Sequence, residues 1–265
     1  MKPKMKPLLP YYGGKSKMVT TLLPMIPEHV SYAEPFSGGA ALFFAKEPSA
    51  IEVLNDTNKE LINFYRIVQQ DFISLEKLVR ITLHSRTMHA DASVIYNNPH
   101  LFDETKRAWA VWVLAIQSFA SIIDGSWGYD KNNDSTSTTK ITNKRTSFTE
   151  EYAIRLQNVQ IECADALYII RSRDTKKAFF YCDPPYFNSD CGHYKGYSEN
   201  DFEKLLLQLS QIEGKFLLSS YPSPLLDKFT KKYGWYQKIK EQCVSVNKGY
   251  SGKKKIEVMT ANYLI

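Results

Sequence analysis

An α/β fold built on a mostly parallel sheet is what this 265-residue sequence predicts. Three observations carry the prediction. Short apolar runs recur along the chain with helix-like segments between them, the pattern of strands whose sheet is covered on both faces. Two of those runs end in unusual turns, "PFSGGAAL" and "DPPYF", at the strand ends where open parallel sheets present ligands. The last two runs, joined by a polar segment, read as a hairpin and hence as an antiparallel edge.

In order, "SYAE" (31–34) leads into "PFSGGAALFFAK", a glycine turn opening a small-residue helix. Next comes "IEVLN" (51–55), then "DTNKELINFYRIVQQ", where Thr57-x-x-Glu60 has the form of a capping box. "VQIEC" (159–163), "AFFYC" (178–182) and "KFLLSS" (215–220) predict three further strands, and Ser198 caps the helix "SENDFEKLLLQLSQI". "WYQKIKEQCVSV" and "KIEVMTANYLI", linked by "NKGYSGKK", form the hairpin. The stretch 67–157 interrupts this alternation. It is helix-rich, with apolar and aromatic periodicity through 103–123, and then turns polar in "DGSWGYDKNNDSTSTTKITNKRTSF" (124–148). Those letters predict a long loop, mobile and functional.

With 43% hydrophobic and 13% aromatic residues the chain can bury a sizeable core, so disorder is excluded as a class. The net charge of +6 suits a nucleic-acid partner without demanding one. Nine of the lysines fall between Lys228 and Lys255 with Glu241 as the sole acid there, a solvated face or a phosphate-facing rim. Cys163, Cys182, Cys191 and Cys243 show no Cys-x-x-Cys spacing, so neither zinc nor a disulfide framework is expected. His193, close to Asp183, reads as a loop residue. "MKPKMKPLLPYY" lacks the apolar stretch of a signal peptide, and "AWAVWVLAIQSFASII" falls short of the ~20 residues of a membrane span. A cytoplasmic chain without a membrane is expected.

Gly38 and Gly39 open a turn in which backbone can approach a ligand with no Cβ in the way. Asp56 ends the following strand, where a carboxylate can accept hydrogen bonds from ribose hydroxyls. Neither Gly-x-Gly-x-x-Gly nor a Walker motif is present, which favours a nucleoside without phosphates. The run Asp183-Pro184-Pro185-Tyr186 is more specific, arising by chance in on the order of 10⁻³ to 10⁻² of chains this long. Its chemistry suits an aromatic amine, whose lone pair is delocalised into the ring. Asp183 supplies one acceptor for the amine hydrogens, and Pro184, with a carbonyl but no N–H, supplies a second held by its fixed φ. Tyr186 offers a face on which a purine stacks.

In these motifs the chain resembles the DNA adenine-N6 methyltransferases of the Dam-like group. Their order appears as "YYGGK" (11–15), "AEPFSGGAAL", "LNDTN" (54–58), an insertion, then "CDPPY". The resemblance implies a Rossmann-like methyltransferase sheet in a discontinuous catalytic domain, 1–66 and 158–265, with an inserted helical target-recognition domain at 67–157. It implies S-adenosylmethionine as methyl donor and no metal. Tyr11 stands where the family has an aromatic residue at the cofactor, usually Trp. Lys15 matches the lysine near the methionine carboxylate, Phe36 lies in the turn against the cofactor, and Asp56 matches the ribose-binding carboxylate. Asp165 is a candidate for the cofactor's adenine amine or, equally, a helix N-cap, and Asp183 borders both ligands. The GATC-reading motif "NRHGFNGLCRYN" has no equivalent in "SFASIIDGSWGYDKNN", so that specificity is not implied. Lys131, Lys140, Lys144 and Arg145 are candidates for phosphate or base contacts, against the plainer reading of solvated loop charges.

The expected activity is transfer of a methyl group to N6 of an adenine flipped from double-stranded DNA, by a monomer, with a cognate restriction endonuclease as a further partner. Asp-Pro-Pro-Tyr also occurs in RNA adenine methyltransferases, which makes RNA the alternative substrate. A catalytically silent DNA-binding homologue is the reading from another class. Retention of Lys15, Asp56 and Asp183 argues against silence.

Overall fold

Each short apolar run predicted as a strand is one in the computed structural model, which describes residues 3–130, 137–188, 196–243 and 254–265. The strands are β1 (Ser31–Glu34), β2 (Ile51–Asn55), β3 (Gln160–Glu162), β4 (Ala178–Cys182), β5 (Lys215–Ser220), β6 (Tyr236–Cys243) and β7 (Lys254–Ala261). The chain divides into a first unit of Met1–Pro24, Ser37–Pro48 and Asp56–Cys163 and a second of Met25–Phe36, Ser49–Asn55 and Ala164–Ile265.

Six of the seven strands among the described residues fall in the second unit, in the order β2-β1-β4-β5-β7-β6. β2, β1, β4 and β5 run parallel. β7 is antiparallel to both β5 and β6, so the two strands of the expected hairpin pair, with the second lying between β5 and β6. Period-2 alternation buries both faces of the central strands. Ala178, Phe180 and Cys182 of β4 join Phe216 and Leu218 of β5 in a core with Ile169, Ile170, Phe202, Leu206, Leu226 and Phe229. Those last six come from helices Ala166–Arg173, Glu199–Leu209 and Pro224–Tyr233. Ser198 caps the second of them in a full capping box with Asp201, as the sequence predicts.

The first unit is mainly helical. Helix Glu104–Gln117, buried along most of its length, packs against helices Lys59–Gln70 and Arg86–Asn97. Helix 59–70 is capped by Asn58, whose side chain accepts from the N–H groups of Glu60 and Leu61, and not by the Thr57–Glu60 box that the spacing suggests. Glu60 instead receives both a 2.9 Å and a 2.7 Å bond from the Arg107 guanidinium of the neighbouring helix. A bidentate ion pair between a buried glutamate and a largely buried arginine outweighs a cap that Asn58 can make alone.

The polar run 124–148 is only partly a loop. Ser137–Thr146 is a helix, although its many Ser, Thr and Asn residues are poor helix formers. Tertiary contacts hold it there. Ile141 is buried, Lys144 Nζ donates to the carbonyls of Pro7 and Leu8, and Arg145 Nη1 donates to that of Thr82. Phe148, just beyond, stacks on Phe72 with ring centroids 5.1 Å apart. Lys144 and Arg145 therefore brace the fold, and Lys140 Nζ donates to Ser121 Oγ at 3.2 Å. Lys131, His193, Cys191 and Lys253 lie outside the described residues.

Candidate active site

Within the second unit, successive strands proceed outward in opposite directions from β1 and β4, so the switch point of the sheet lies between these two. The chain leaves β1 through Glu34-Pro35-Phe36 and β4 through Asp183-Pro184-Pro185-Tyr186. Such a crevice, outside the carboxyl ends of parallel strands, is where ligands of open α/β sheets bind. The prolines have no N–H to continue the ladder, so the chain must turn after Cys182. Pro184 is buried, whereas Asp183 keeps part of its surface open.

Tyr186 is held by two carboxylates. Its hydroxyl lies 3.2 Å from Asp183 Oδ1 and is also hydrogen-bonded to Glu257 Oε1 on β7. Tyr221 meets the ring edge-on, with centroids 4.4 Å apart. Burial first, and then the charges of Asp183 and Glu257, push the Tyr186 phenol well above its ordinary range, so it stays a neutral donor. Burial and the same carboxylates act likewise on Tyr181, whose hydroxyl meets Ser219 Oγ at 3.1 Å. Glu34, buried at the end of β1, accepts a 2.6 Å bond from Tyr32, two residues earlier on the same strand face.

Asn55, at the end of β2, secures the turn. Its side-chain nitrogen donates to the carbonyls of Pro35 and Ala164, and its oxygen accepts from the Ala164 N–H, which satisfies the amide while it is fully buried. Phe36 packs on the core and meets Tyr197 edge-on at 6.4 Å. Asp165 accepts from the Tyr168 N–H and caps the helix that follows.

The first unit holds the glycine turn. Gly38 has φ +46, and its N–H donates to Asp56 Oδ2 at 3.0 Å while Asp56 Oδ1 accepts from the Asn58 N–H. The Gly38 carbonyl accepts from Tyr65 at 2.8 Å. Burial raises the Asp56 carboxyl from its ordinary value, and these backbone donors work against that. The glycines face Tyr11: a Cβ on Gly38 would stand 3.2 Å from the Tyr11 ring, and one on Gly39 2.9 Å from its Cβ. Lys15, buried, donates to the Gly13 carbonyl at 3.2 Å. In the same turn the Ser37 hydroxyl is buried with no hydrogen-bond partner among the described residues.

These features fit a nucleoside donor such as S-adenosylmethionine. A buried lysine suits a carboxylate, an aspartate held by backbone donors retains lone pairs for ribose hydroxyls, and an orphaned hydroxyl marks a place where a polar partner is missing. Sequence reasoning passed over Asn55, Ser37 and Glu257. A neutral amide closing a buried strand and a single acid within "KIEVM" were the available signals.

A parallel sheet of this order, with an Asp-Pro-Pro-Tyr turn at its switch point, defines the class of Rossmann-like amino-methyltransferases. Residues 11–244 match the D12 class N6 adenine-specific DNA methyltransferases, and the chain belongs to that family. It is similar to the type II methyltransferase M1.LlaDCHI of Lactococcus lactis subsp. cremoris, 27% identical over 291 residues that cover 98% of this chain and 96% of the relative. It is also similar to the DNA N-6-adenine-methyltransferase of Escherichia phage P1, 24% identical over 229 residues covering 80% of this chain but 29% of that protein. The chain is thus an adenine-specific DNA methyltransferase, and the family implies S-adenosylmethionine as methyl donor. DNA, not RNA, is the substrate class this family defines.

Proposed function

We propose that this enzyme is site-specific and methylates N6 of an adenine flipped out of double-stranded DNA, with Asp183, Pro184 and Tyr186 acting on the base. Tyr11, Lys15, Phe36, Asp56, Asp165 and Asp183 are the residues proposed to hold the donor. The observation that carries the reading is the Asp183–Tyr186 turn at the switch point of the sheet, with a partly open carboxylate beside an aromatic ring fixed from two sides.

S-adenosylmethionine, when bound, supplies a methyl group activated by a sulfonium. Asp183 and the Pro184 carbonyl accept the two amino hydrogens and turn the N6 lone pair out of the ring plane. Tyr186 stacks on the base and fixes its distance from the donor. Asp183 then passes the released proton to water. Attack of an amine on a sulfonium needs no Lewis acid, and no metal enters the proposal.

The stretch 67–157 is proposed as the target-recognition domain, inserted between the catalytic segments 1–66 and 158–265. In support, it carries an exposed aromatic, Phe119 at 69%, on a turn where Ala120 and Ser121 both have positive φ. Beside that turn His84, Trp127 and Tyr129 stack in sequence with the Arg86 guanidinium 4.7 Å from the Trp127 ring centre. Strained backbone that projects an aromatic ring is a common feature of binding loops. By analogy with the type II relative, a restriction endonuclease is the proposed partner, and a cytoplasmic monomer the proposed form. Among the described residues no helix is long and apolar enough to cross a membrane.

Radiolabelled methyl transfer to DNA, RNA and protein acceptors tests the activity, and single-molecule sequencing of DNA from expressing cells reads the modified motif. Label in DNA at adenine N6, lost in Asp183→Ala, is the expected result. Undiminished labelling by Asp183→Ala would remove the amine-gripping turn from the mechanism.

A further inference from the structure

Asn58 links the aspartate of the glycine turn to a tyrosine that belongs to no motif. Asp56 Oδ1 accepts from the Asn58 N–H at 2.9 Å, and Asn58 Nδ2 donates to the Tyr96 hydroxyl at 3.0 Å. The roles in the second bond are fixed. As the helix cap, the Asn58 side-chain oxygen already accepts from the N–H groups of Glu60 and Leu61, so the nitrogen faces the phenol and can only donate. Tyr96 is therefore the acceptor, and its own hydrogen has no acceptor among the described residues. Burial raises this half-buried phenol above its ordinary range, the Asn58 bond opposes that, and the charges of Glu60, Asp124 and Asp56 add to it. It stays a neutral donor.

Each hydroxyl of a ribose is at once donor and acceptor. Asp56, held by the N–H groups of Asn58, Gly38 and Thr57, keeps lone pairs for ribose hydrogens, but an ionised carboxylate has no hydrogen to give in return. The oxygens of the diol call for a neutral donor beside it. We propose that Tyr96, from within the insertion, is a further cofactor-binding residue: its phenolic hydrogen bonds a ribose hydroxyl oxygen of S-adenosylmethionine next to Asp56. This rests on the reading of Asp56 as the ribose carboxylate.

The fold explains how a residue of the insertion comes to stand there. Helix Arg86–Asn97 is capped by Ser85, whose side chain accepts from the Met88 N–H, and His89 Nε2 lies 2.8 Å from Ser118 Oγ. Ala92 and Ile95 bury one face of this helix, which packs on helix Glu104–Gln117. Tyr96 follows Ile95 near the C-terminal end and meets Asn58 at the start of helix Lys59–Gln70, two residues after Asp56.

The test is calorimetric titration of the full chain, parent and Tyr96→Phe, with S-adenosylhomocysteine and its 2′-deoxy and 3′-deoxy analogues. Weak ligands are measured by competition. Expected is about three- to tenfold weaker binding of S-adenosylhomocysteine by Tyr96→Phe, the loss of one neutral hydrogen bond. For the analogue that lacks the accepting hydroxyl, parent and variant should agree within about twofold. Parental affinity of Tyr96→Phe for S-adenosylhomocysteine would overturn the assignment. So would the same loss toward every ligand, which is what mere support of Asn58 produces. Circular dichroism and thermal unfolding monitor folding. If Tyr96→Phe does not fold, Tyr96→Leu is titrated in its place with the same expected pattern. Asp56→Asn separates the two layers: parental affinity in that variant sinks the ribose reading and the proposal with it, whereas weakened binding there beside an unselective Tyr96→Phe sinks only the role of Tyr96.

Discussion

Tyr11 lies directly on the glycine turn, so close to Gly39 that an added Cβ would come within 2.9 Å of its own. The second glycine of the turn thus exists to admit an aromatic side chain from the N-terminal segment. Gly39→Ala is expected to displace Tyr11, to destabilise the protein by about 1–3 kcal/mol and to weaken cofactor binding in the same variant. Calorimetric titration with S-adenosylmethionine alongside thermal unfolding checks both. A loss of affinity with unchanged Tm would mean that the glycine faces the ligand itself.

Asp183→Ala should lower methyl transfer by about 10³-fold or more while the protein stays folded, because an acceptor aimed at the reacting amine acts mainly in the transition state. Single-turnover rates measure it.

Removing the Tyr186 ring should cost far more than removing its hydroxyl. Stacking contributes about 1–3 kcal/mol per base, so Tyr186→Ala is expected to slow transfer about a hundredfold. Tyr186→Phe keeps the face but takes away the donor to Glu257, so it should fall between the parent and the alanine variant. Equal losses in Phe and Ala would count against stacking.

Asn55 makes three hydrogen bonds from a fully buried position, two to carbonyls and one from an N–H. Asn55→Ala leaves those backbone groups unsatisfied and is expected to destabilise by about 2–4 kcal/mol. Asn55→Asp, with no donors to offer Pro35 and Ala164, should be no better. Urea unfolding of the two variants provides the comparison, and a loss below about 1 kcal/mol in both would show that the loop finds other partners.

Lys144 has a pH signature. Burial, with smaller contributions from Lys140 and Lys6, lowers its ammonium from 10.5 to about 8. Below pH 8 both folded and unfolded states carry the proton, and the folded state bears the full cost of holding it out of water. Between about pH 8 and the ordinary 10.5 the folded state gives it up first, so that cost is relieved and this site's contribution to stability rises with pH. Denaturation at pH 7, 8.5 and 10 should show stability of the parent gaining on that of Lys144→Met across the window. Parallel profiles would refute the shift.

The strands could be read from the letters because each is a short apolar run bounded by turn residues, and a strand buried on both faces needs nothing more than that. "AFFYC" and "KFLLSS" became β4 and β5 with the boundaries their sequence suggests. Ser198 was legible as a cap because its partner Asp201 is local. The helix Ser137–Thr146 was not, since the groups that hold it, the carbonyls of Pro7, Leu8 and Thr82, are remote in sequence. Thr57 failed as a cap for a related reason: its presumed partner Glu60 is taken by Arg107 from another helix.

By itself the sequence determined the catalytic vocabulary of this protein: Asp-Pro-Pro-Tyr after an apolar strand, a glycine turn after another, and a carboxylate closing the next. These are local features, fixed by what proline, glycine and a strand end can do within a few residues. Tertiary structure alone decided how they are supported. Tyr11 occupies the glycine turn, Asn55 ties down the Pro35 loop, and Glu257 reaches Tyr186 only because β7 enters the sheet beside β5 in the reverse direction. The reason is physical: a hydrogen bond or close contact between residues far apart in the chain is set by strand order and packing, neither of which leaves a period or motif in the letters.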